Sequence, residues 1–117
     1  MLFRSSQLLG HWVRERRALS LEAAVRLITS APAEIFGIPD RGRLAPGLAG
    51  DITVFDPATI ACHEEEIVHD MPDGGPRYIS RASGLRWSFV NGQPIIRDGR
   101  LPEPRAVSGA GRVIRAA

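Results

Sequence analysis

The apolar positions change period once along this chain, near Gly37, from a helical spacing to an alternating one. Leu8, Leu9, Trp12 and Val13 recur at helical spacing, with Arg14, Glu15, Arg16 and Arg17 mostly on the opposite side. A second helix is better marked. Ser20 is a natural N-cap, Glu22 suits the positive end of the macrodipole, and Leu21, Ala24, Val25 and Ile28 form an i, i+3, i+4, i+7 stripe. Ser30 reads as the cap of a third, short helix, with Pro32 in its first turn, where a missing N–H costs little. Phe36 closes that helix, and Gly37 supplies a left-handed C-terminal residue.

After Gly37 the residues favour turns and strands. Asp40-Arg41-Gly42 is turn chemistry, and Pro46-Gly47 fits the centre of a type II turn. Ile52 to Phe55 reads as a short buried strand, stopped at Asp56-Pro57. Residues 58 to 83 lack alternation and read as loop, least regular from Met71 to Pro76. Arg86 to Val90 and Pro94 to Arg97 are strands joined by Asn91-Gly92, a two-residue type I′ hairpin signal. Asp98-Gly99 turns again, and the tail runs on through Pro102, Pro104, Gly109 and Gly111. Helices first and strands afterwards predict an α+β chain, or pieces of two different domains. The second option has a physical attraction. The helical stripes have no evident partner sheet, and three short strands are the bare minimum for an independent one.

A length of 117 residues allows one domain and a modest core. Apolar content of 44% and charged content of 24% are globular values. All fifteen basic residues are arginine, which reads as codon usage more than as a binding strategy, since thirteen acids are interleaved and the net charge is only +2. No basic stripe for nucleic acid emerges. The lone Cys62 forms no internal disulfide and fits a reducing compartment. No run approaches the ~20 apolar residues of a membrane span, and the N-terminus is too charged for a secretion signal. A soluble, cytoplasmic protein is expected.

Candidate chemistry is sparse. Cys62-His63-Glu64-Glu65-Glu66-Ile67-Val68-His69-Asp70 holds two histidines, a thiol and four carboxylates, all competent metal ligands. His63 and His69 are six apart, however, and no second cluster completes a tetrahedron, so a solvated loop is the better reading. His11 reads as a helix-face residue. Ser5, Ser6, Ser20 and Ser30 lack a Gly-x-Ser-x-Gly setting, and the last two read as caps. Gly42 and Gly47 beside Arg41 and Arg43 do not have phosphate-loop spacing. Asp40 and Arg41 are expected to form a local ion pair that fixes a turn. Trp12, Trp87 and Phe89 read as core aromatics. No catalytic, cofactor-binding or metal-binding residue is assigned within the chain.

Several segments together carry a resemblance. Leu9-Gly10-His11-Trp12-Val13-Arg14-Glu15-Arg16, Leu19 to Val25, Thr29-Ser30-Ala31-Pro32-Ala33 and Phe36-Gly37-Ile38 resemble the C-terminal region of N-acyl-D-amino-acid deacylases, the D-aminoacylase branch of the amidohydrolase superfamily. Asp40 to Gly47, Asp51 to Pro57, His69-Asp70-Met71-Pro72, Gly84-Leu85-Arg86 and Val90-Asn91-Gly92 continue it in order, so that it spans Leu8 to Arg115. Two departures stand out. Gly50-Asp51 replaces the usual Ala-Asp, expected to loosen the start of the strand slightly, and Ala110-Gly111-Arg112 replaces Pro-Gly-Arg. Met1 to Gln7 match poorly, which points to a truncated gene, a frameshift or a start codon placed too late.

The resemblance implies a TIM barrel carrying a β-sandwich built from both chain ends. Residues 1 to 37 would then be the barrel's last helical segment, and 38 to 117 the C-terminal part of the sandwich. The family's metal ligands and catalytic Asp have no matching positions here. Zinc, an N-acyl amino-acid substrate and a zinc-activated water attacking the amide are implied for the parent enzyme alone, and this chain by itself is expected to be inactive. The rival reading is a non-catalytic docking module that partners a separately encoded barrel. Either way, the apolar helix stripes predict non-specific self-association. Dihydroorotase-like relatives share the sandwich, so the resemblance does not fix the substrate.

Overall fold

The computed structural model describes residues 2–101 and 109–114, with side chains from Ser5 onward. The chain is α+β. Helix α1 (Leu2–Gln7) runs directly into a wider, π-helical segment (Leu8–Glu15), followed by α2 (Leu21–Ile28) and α3 (Ser30–Ile35). Five strands come next: β1 (Ile52–Phe55), β2 (Ala61–Val68), β3 (Arg77–Ser83), β4 (Leu85–Val90) and β5 (Gln93–Arg97). They form two antiparallel sheets, one of order β1-β4-β5 and one pairing β2 with β3.

The local signals act as their chemistry requires. Ser20 has extended backbone, and its Oγ accepts from the Ala23 N–H at 3.2 Å, satisfying one orphan donor of α2. At the end of α3 the Gly37 N–H donates to Glu34 O and the Ile38 N–H to Ala33 O, a Schellman pair that needs Gly37 at φ 63°. Ser30 differs from expectation. Thr29 occupies the cap position without a capping side-chain bond, and its Oγ1 donates back to Val25 O at 2.7 Å. Asn91 and Gly92 both have positive φ, 49° and 77°, and Val90 pairs with Gln93, which is the type I′ hairpin. Asp98-Gly99 forms a second such turn, with Arg97 and Arg100 exchanging both backbone hydrogen bonds.

Residues 58 to 83 are not a loop. Most of them form the β2–β3 hairpin, with Glu65 opposite Ser80 and Ile67 opposite Tyr78. Most of β2 is exposed, so no buried face imposes the alternation that marks a half-buried strand. Cross-strand pairs hold it instead: Arg81 donates to Glu66 at 2.6 Å, and Arg77 grips Asp70 through two bonds. The strand β1 is likewise half-exposed and not buried, with Val54 42% accessible.

The core lies where the helices meet the β1–β2 corner. Leu9, Ala24 and Ile60 are buried there, with Leu8, Val13, Leu21, Val25 and Phe55 packed around them. The helical stripes therefore do find a partner within the chain, contrary to the sequence reading. Ile60 fits because two residues lack a Cβ. One on Gly10 would lie 2.7 Å from Ile60 O, and one on Gly84 would lie 2.4 Å from the Ile60 nitrogen. Arg14 clamps the same corner by donating from one Nη to the carbonyls of Pro57 and Ile60. Gly50 does not loosen the sheet: its carbonyl accepts from the Gly92 N–H at 2.8 Å, and a Cβ there would come within 2.7 Å of that nitrogen. Of the expected core aromatics, Trp87 and Phe89 stack at 5.9 Å, but Trp12 is half-exposed, edge-on to His11. Pro102 and Pro104 lie outside the described residues.

This core is too small for the chain. No large side chain is fully buried among the described residues, while Ile35, Phe36 and Leu44 are each more than two-thirds exposed. The radius of gyration is 16.0 Å, against roughly 13 Å for a compact domain of this length.

Gly84→Ala and Gly92→Ala separate backbone strain from close approach. Both residues have positive φ, but only at Gly84 would the new methyl meet backbone atoms, since nothing lies within 4 Å of the Gly92 position. We expect Gly92→Ala to cost about 1–2 kcal/mol, and Gly84→Ala to cost roughly 1–3 kcal/mol more through overpacking. Thermal or urea denaturation measures both; equal costs would mean that Ile60 moves aside freely.

Candidate functional site

The helices and the three-stranded sheet enclose an open cleft of about 1000 Å³. Val25, Ile28 and Phe36 line its helical side, and Ile38, Ile52 and Phe55 its other walls. The lining mixes these apolar side chains with arginines, aspartates and hydroxyl groups. Of its charged members, Arg41 pairs with Asp51 at 2.6 Å, while Arg43 turns to Glu34 at 3.2 Å and Arg86 to Asp56 at 3.4 Å. The apolar part of the lining has the character of a surface that can pack against other apolar groups.

At the rim, the loop between α3 and β1 is tied to the Asn91-Gly92 turn. Arg41 meets Asp40 at 2.8 Å, as the sequence predicts, and also Asp51, Nε to Oδ2, at 2.6 Å. The second oxygen of Asp51 accepts from the Asn91 backbone N–H at 2.8 Å, and the Asn91 side-chain amide donates to Ala110 O. The Asn91 N–H, ahead of Arg41, holds the Asp51 carboxyl below the ordinary carboxylate value, while partial burial opposes the shift. Asp51 and Asp40 together hold the Arg41 guanidinium above its usual value. Sequence reasoning found the Asp40–Arg41 pair and missed Asp51; its place one residue after Gly50, at the start of β1, was the available signal.

The tempting acidic run is dispersed by its strand. Cys62 Sγ sits 3.1 Å from Ser80 Oγ, Ser80 donates to His63 O, and His69 Nδ1 is 3.2 Å from Gly74 O. Side chains along an extended strand alternate between its faces, and the β2 pairing is interrupted between Cys62 and Glu65. Among the described residues no three His, Cys, Asp or Glu side chains converge on a point where a metal could be held. His11 Nδ1 lies 2.8 Å from Glu15 Oε2, a pairing along one helical face. Ser5 and Ser6 line the cleft near Leu9. No helix among the described residues is long and apolar enough to cross a membrane.

The model of the amidohydrolase family matches residues 1–96. The chain belongs to that family. The match begins at Met1, so the first seven residues, expected to fit poorly, fall within it. The chain is 34% identical over 110 residues to the N-acyl-D-glutamate deacylase of Alcaligenes xylosoxydans xylosoxydans, covering 94% of this chain and 20% of that protein. It is also 34% identical over 110 residues to the D-aminoacylase of the same organism, covering 92% of this chain and 20% of the relative. The crystal structure of the Bordetella bronchiseptica N-acyl-D-glutamate deacylase, complexed with zinc and a phosphonate mimic of the tetrahedral intermediate, superposes with a TM-score of 0.71 at 35% identity. That overlap covers 95% of this chain and 20% of the deacylase. The chain thus spans about a fifth of the length of the curated relatives it matches. Zinc is bound in the solved relative; among the described residues of this chain the ligand-type side chains are spread along the helices, loops and the β2–β3 hairpin and do not converge on such a site.

The Asp51 bridge makes stability depend on pH in a defined direction. Because the folded-state value is depressed, its contribution is complete above the unfolded carboxyl value of about 3.9 and is lost as pH falls through the lower folded value. Acid titration followed by circular dichroism should show a stability loss below about pH 4 that Asp51→Ala removes. At neutral pH the same variant should cost roughly 1–3 kcal/mol, as a charged hydrogen-bond acceptor does; an unchanged acid profile would show the bridge to be inert.

Proposed function

We propose that this chain is the C-terminal part of a zinc-dependent amidohydrolase that hydrolyses the amide of N-acyl-D-amino acids, and that it supplies architecture, not catalytic groups. The observation that carries this reading is the 35% identity and 0.71 TM-score to a deacylase solved with a tetrahedral-intermediate mimic, over only 20% of that enzyme. In the whole enzyme, zinc would supply the water-activating chemistry and would be held by residues outside these 117. What this chain contributes is a rigid corner and an apolar cleft. Residues 1–37 are proposed as the last helical segment of the barrel, and 38–117 as the C-terminal share of the sandwich. The open cleft, lined by Val25, Ile28 and Phe55, supports a surface shaped to be covered by the rest of such a protein. The small core supports it too: a buried Val or Leu is worth ~1.5–3 kcal/mol, a large fraction of the ~5–15 kcal/mol that a domain possesses.

The test is complementation. The isolated chain, with zinc and N-acetyl-D-amino acids, should show no turnover above the metal blank, and should self-associate and bind a dye for exposed apolar surface. Co-expression with the other four-fifths of an N-acyl-D-glutamate deacylase should restore deacylation and reduce dye binding. Turnover by the chain alone, lost in His63→Ala or His69→Ala, would overturn the assignment. A clean monomer with a sharp melt and no complementation would favour a finished docking module instead.

A further inference from the structure

The Asn91-Gly92 turn has a chemical liability that is independent of the proposed function. An asparagine followed by a residue without Cβ offers no steric protection against attack by the next backbone nitrogen on its side-chain carbonyl. Nothing lies within 4 Å of the position a Gly92 Cβ would take, so the protein adds no shield of its own there. What it adds are hydrogen bonds on the two reacting groups and one more on the backbone of the turn that carries them. The Gly92 nitrogen donates to Gly50 O at 2.8 Å, the Asn91 side-chain nitrogen donates to Ala110 O, and the Asn91 backbone nitrogen donates to Asp51 at 2.8 Å.

We propose that Asn91 is a site of spontaneous deamidation, and that the bonds from Gly50, Asp51 and Ala110 hold it in check while the chain is folded. In the reaction the Gly92 nitrogen loses its proton to solvent base and forms a bond to Asn91 Cγ. The Cγ–Nδ2 bond breaks, and Nδ2 leaves as ammonia with a proton taken from solvent. Water then opens the cyclic imide to aspartate or isoaspartate, so the net change is asparagine plus water giving the acid plus ammonia, with nothing oxidised or reduced. In the fold, Gly92 N–H points at a carbonyl and not at Cγ, and the departing amide is tethered to the tail. The product matters for this molecule. Aspartate at 91 turns a donor to Ala110 O into a carboxylate facing that carbonyl, beside the existing charge of Asp51. Isoaspartate lengthens the backbone within a two-residue turn. Aspartate thus releases the segment at Ala110, isoaspartate also shifts the backbone donors that hold Gly50 and Asp51, and without enzymatic repair the change is one-way.

The test follows residue 91 in the intact chain by peptide mass spectrometry, during incubation in mildly alkaline buffer with and without urea. Native protein should convert slowly, and urea should accelerate conversion roughly tenfold, as expected when two net hydrogen bonds leave the reacting groups. Asp51→Ala in native buffer should fall between, at about fivefold. If Asp51→Ala unfolds, Gly50→Ala gives the same reading, since its Cβ displaces the Gly92 nitrogen without touching the Arg41 ion pair. Gly92→Ala in urea should slow the reaction. No product at Asn91 in urea would remove the site. Equal rates with and without urea, or a folded variant no faster than the parent, would remove the guarding role.

Discussion

The carboxylate of Asp51 is the constraint on which the arrangement of the second half depends. One oxygen holds Arg41 and the other holds the Asn91 backbone N–H. A single group thereby fixes the loop leaving the helices, the first residue before β1 and the turn between β4 and β5. The neighbouring Gly92–Gly50 bond repeats the connection through backbone alone. Two features let this pair outweigh the ~0–1 kcal/mol of an ordinary exposed ion pair. The Arg41 side chain is only 16% exposed, and one donor is a fixed main-chain N–H that loses no rotamer freedom. The order of β1 and β4 in the sheet then follows, because Ile52 is carried opposite Phe89.

A second constraint sits at the other end of β1. Ile60 is wedged between Gly10 and Gly84, and Arg14 caps the wedge from the helix. These contacts join the helical segment at Gly10 and Arg14 to the turn before β2. Between helices and strands the cleft stays open, and the apolar residues that the helices aim at it are only partly covered. The molecule is therefore well specified at its two corners and underfilled in the middle. That distribution is what a segment of a larger amidohydrolase would show: local geometry set by its own residues, burial completed by others.

What the sequence made legible was chemistry confined to a few neighbouring residues. Ser20 as a cap, Gly37 at a helix end and Asn91-Gly92 as a primed turn are decided by the sterics and hydrogen bonds of adjacent positions. What stayed hidden was pairing across distance. Glu64-Glu65-Glu66 looks like a solvated loop because three like charges in a row disfavour any compact local structure. In β2 Glu65 and Glu66 pair across to Ser80 and Ile79, and the Glu66 side chain meets Arg81, fifteen residues away. Strand preference reflects such partners more than intrinsic backbone tendency. The role of Asp51 stayed hidden for the same reason: its position before β1 was a signal, but its partner Asn91 lies forty residues on. The family could be recognised because short motifs survive as motifs. The cleft could not, because it is a property of two surfaces that no motif encodes.

The absence of lysine acquires a structural meaning once these contacts are known. Arg41 bridges Asp40 and Asp51 at once, Arg77 meets both oxygens of Asp70, and Arg14 reaches two carbonyls at the corner around Ile60. Arg41 and Arg77 use two nitrogens of the planar guanidinium fork for these acceptors, whereas Arg14 reaches both of its carbonyls from one nitrogen. An ammonium at the same site would act as a compact point charge without that fork, and would remain more strongly hydrated. Codon usage can explain why arginine was available everywhere. It does not explain why the Arg41 and Arg77 contacts are two-pronged. Whatever the origin of the composition, the fold has come to use the fork at the places where its elements meet, so an arginine-to-lysine exchange there would be a change of geometry even though the charge is kept.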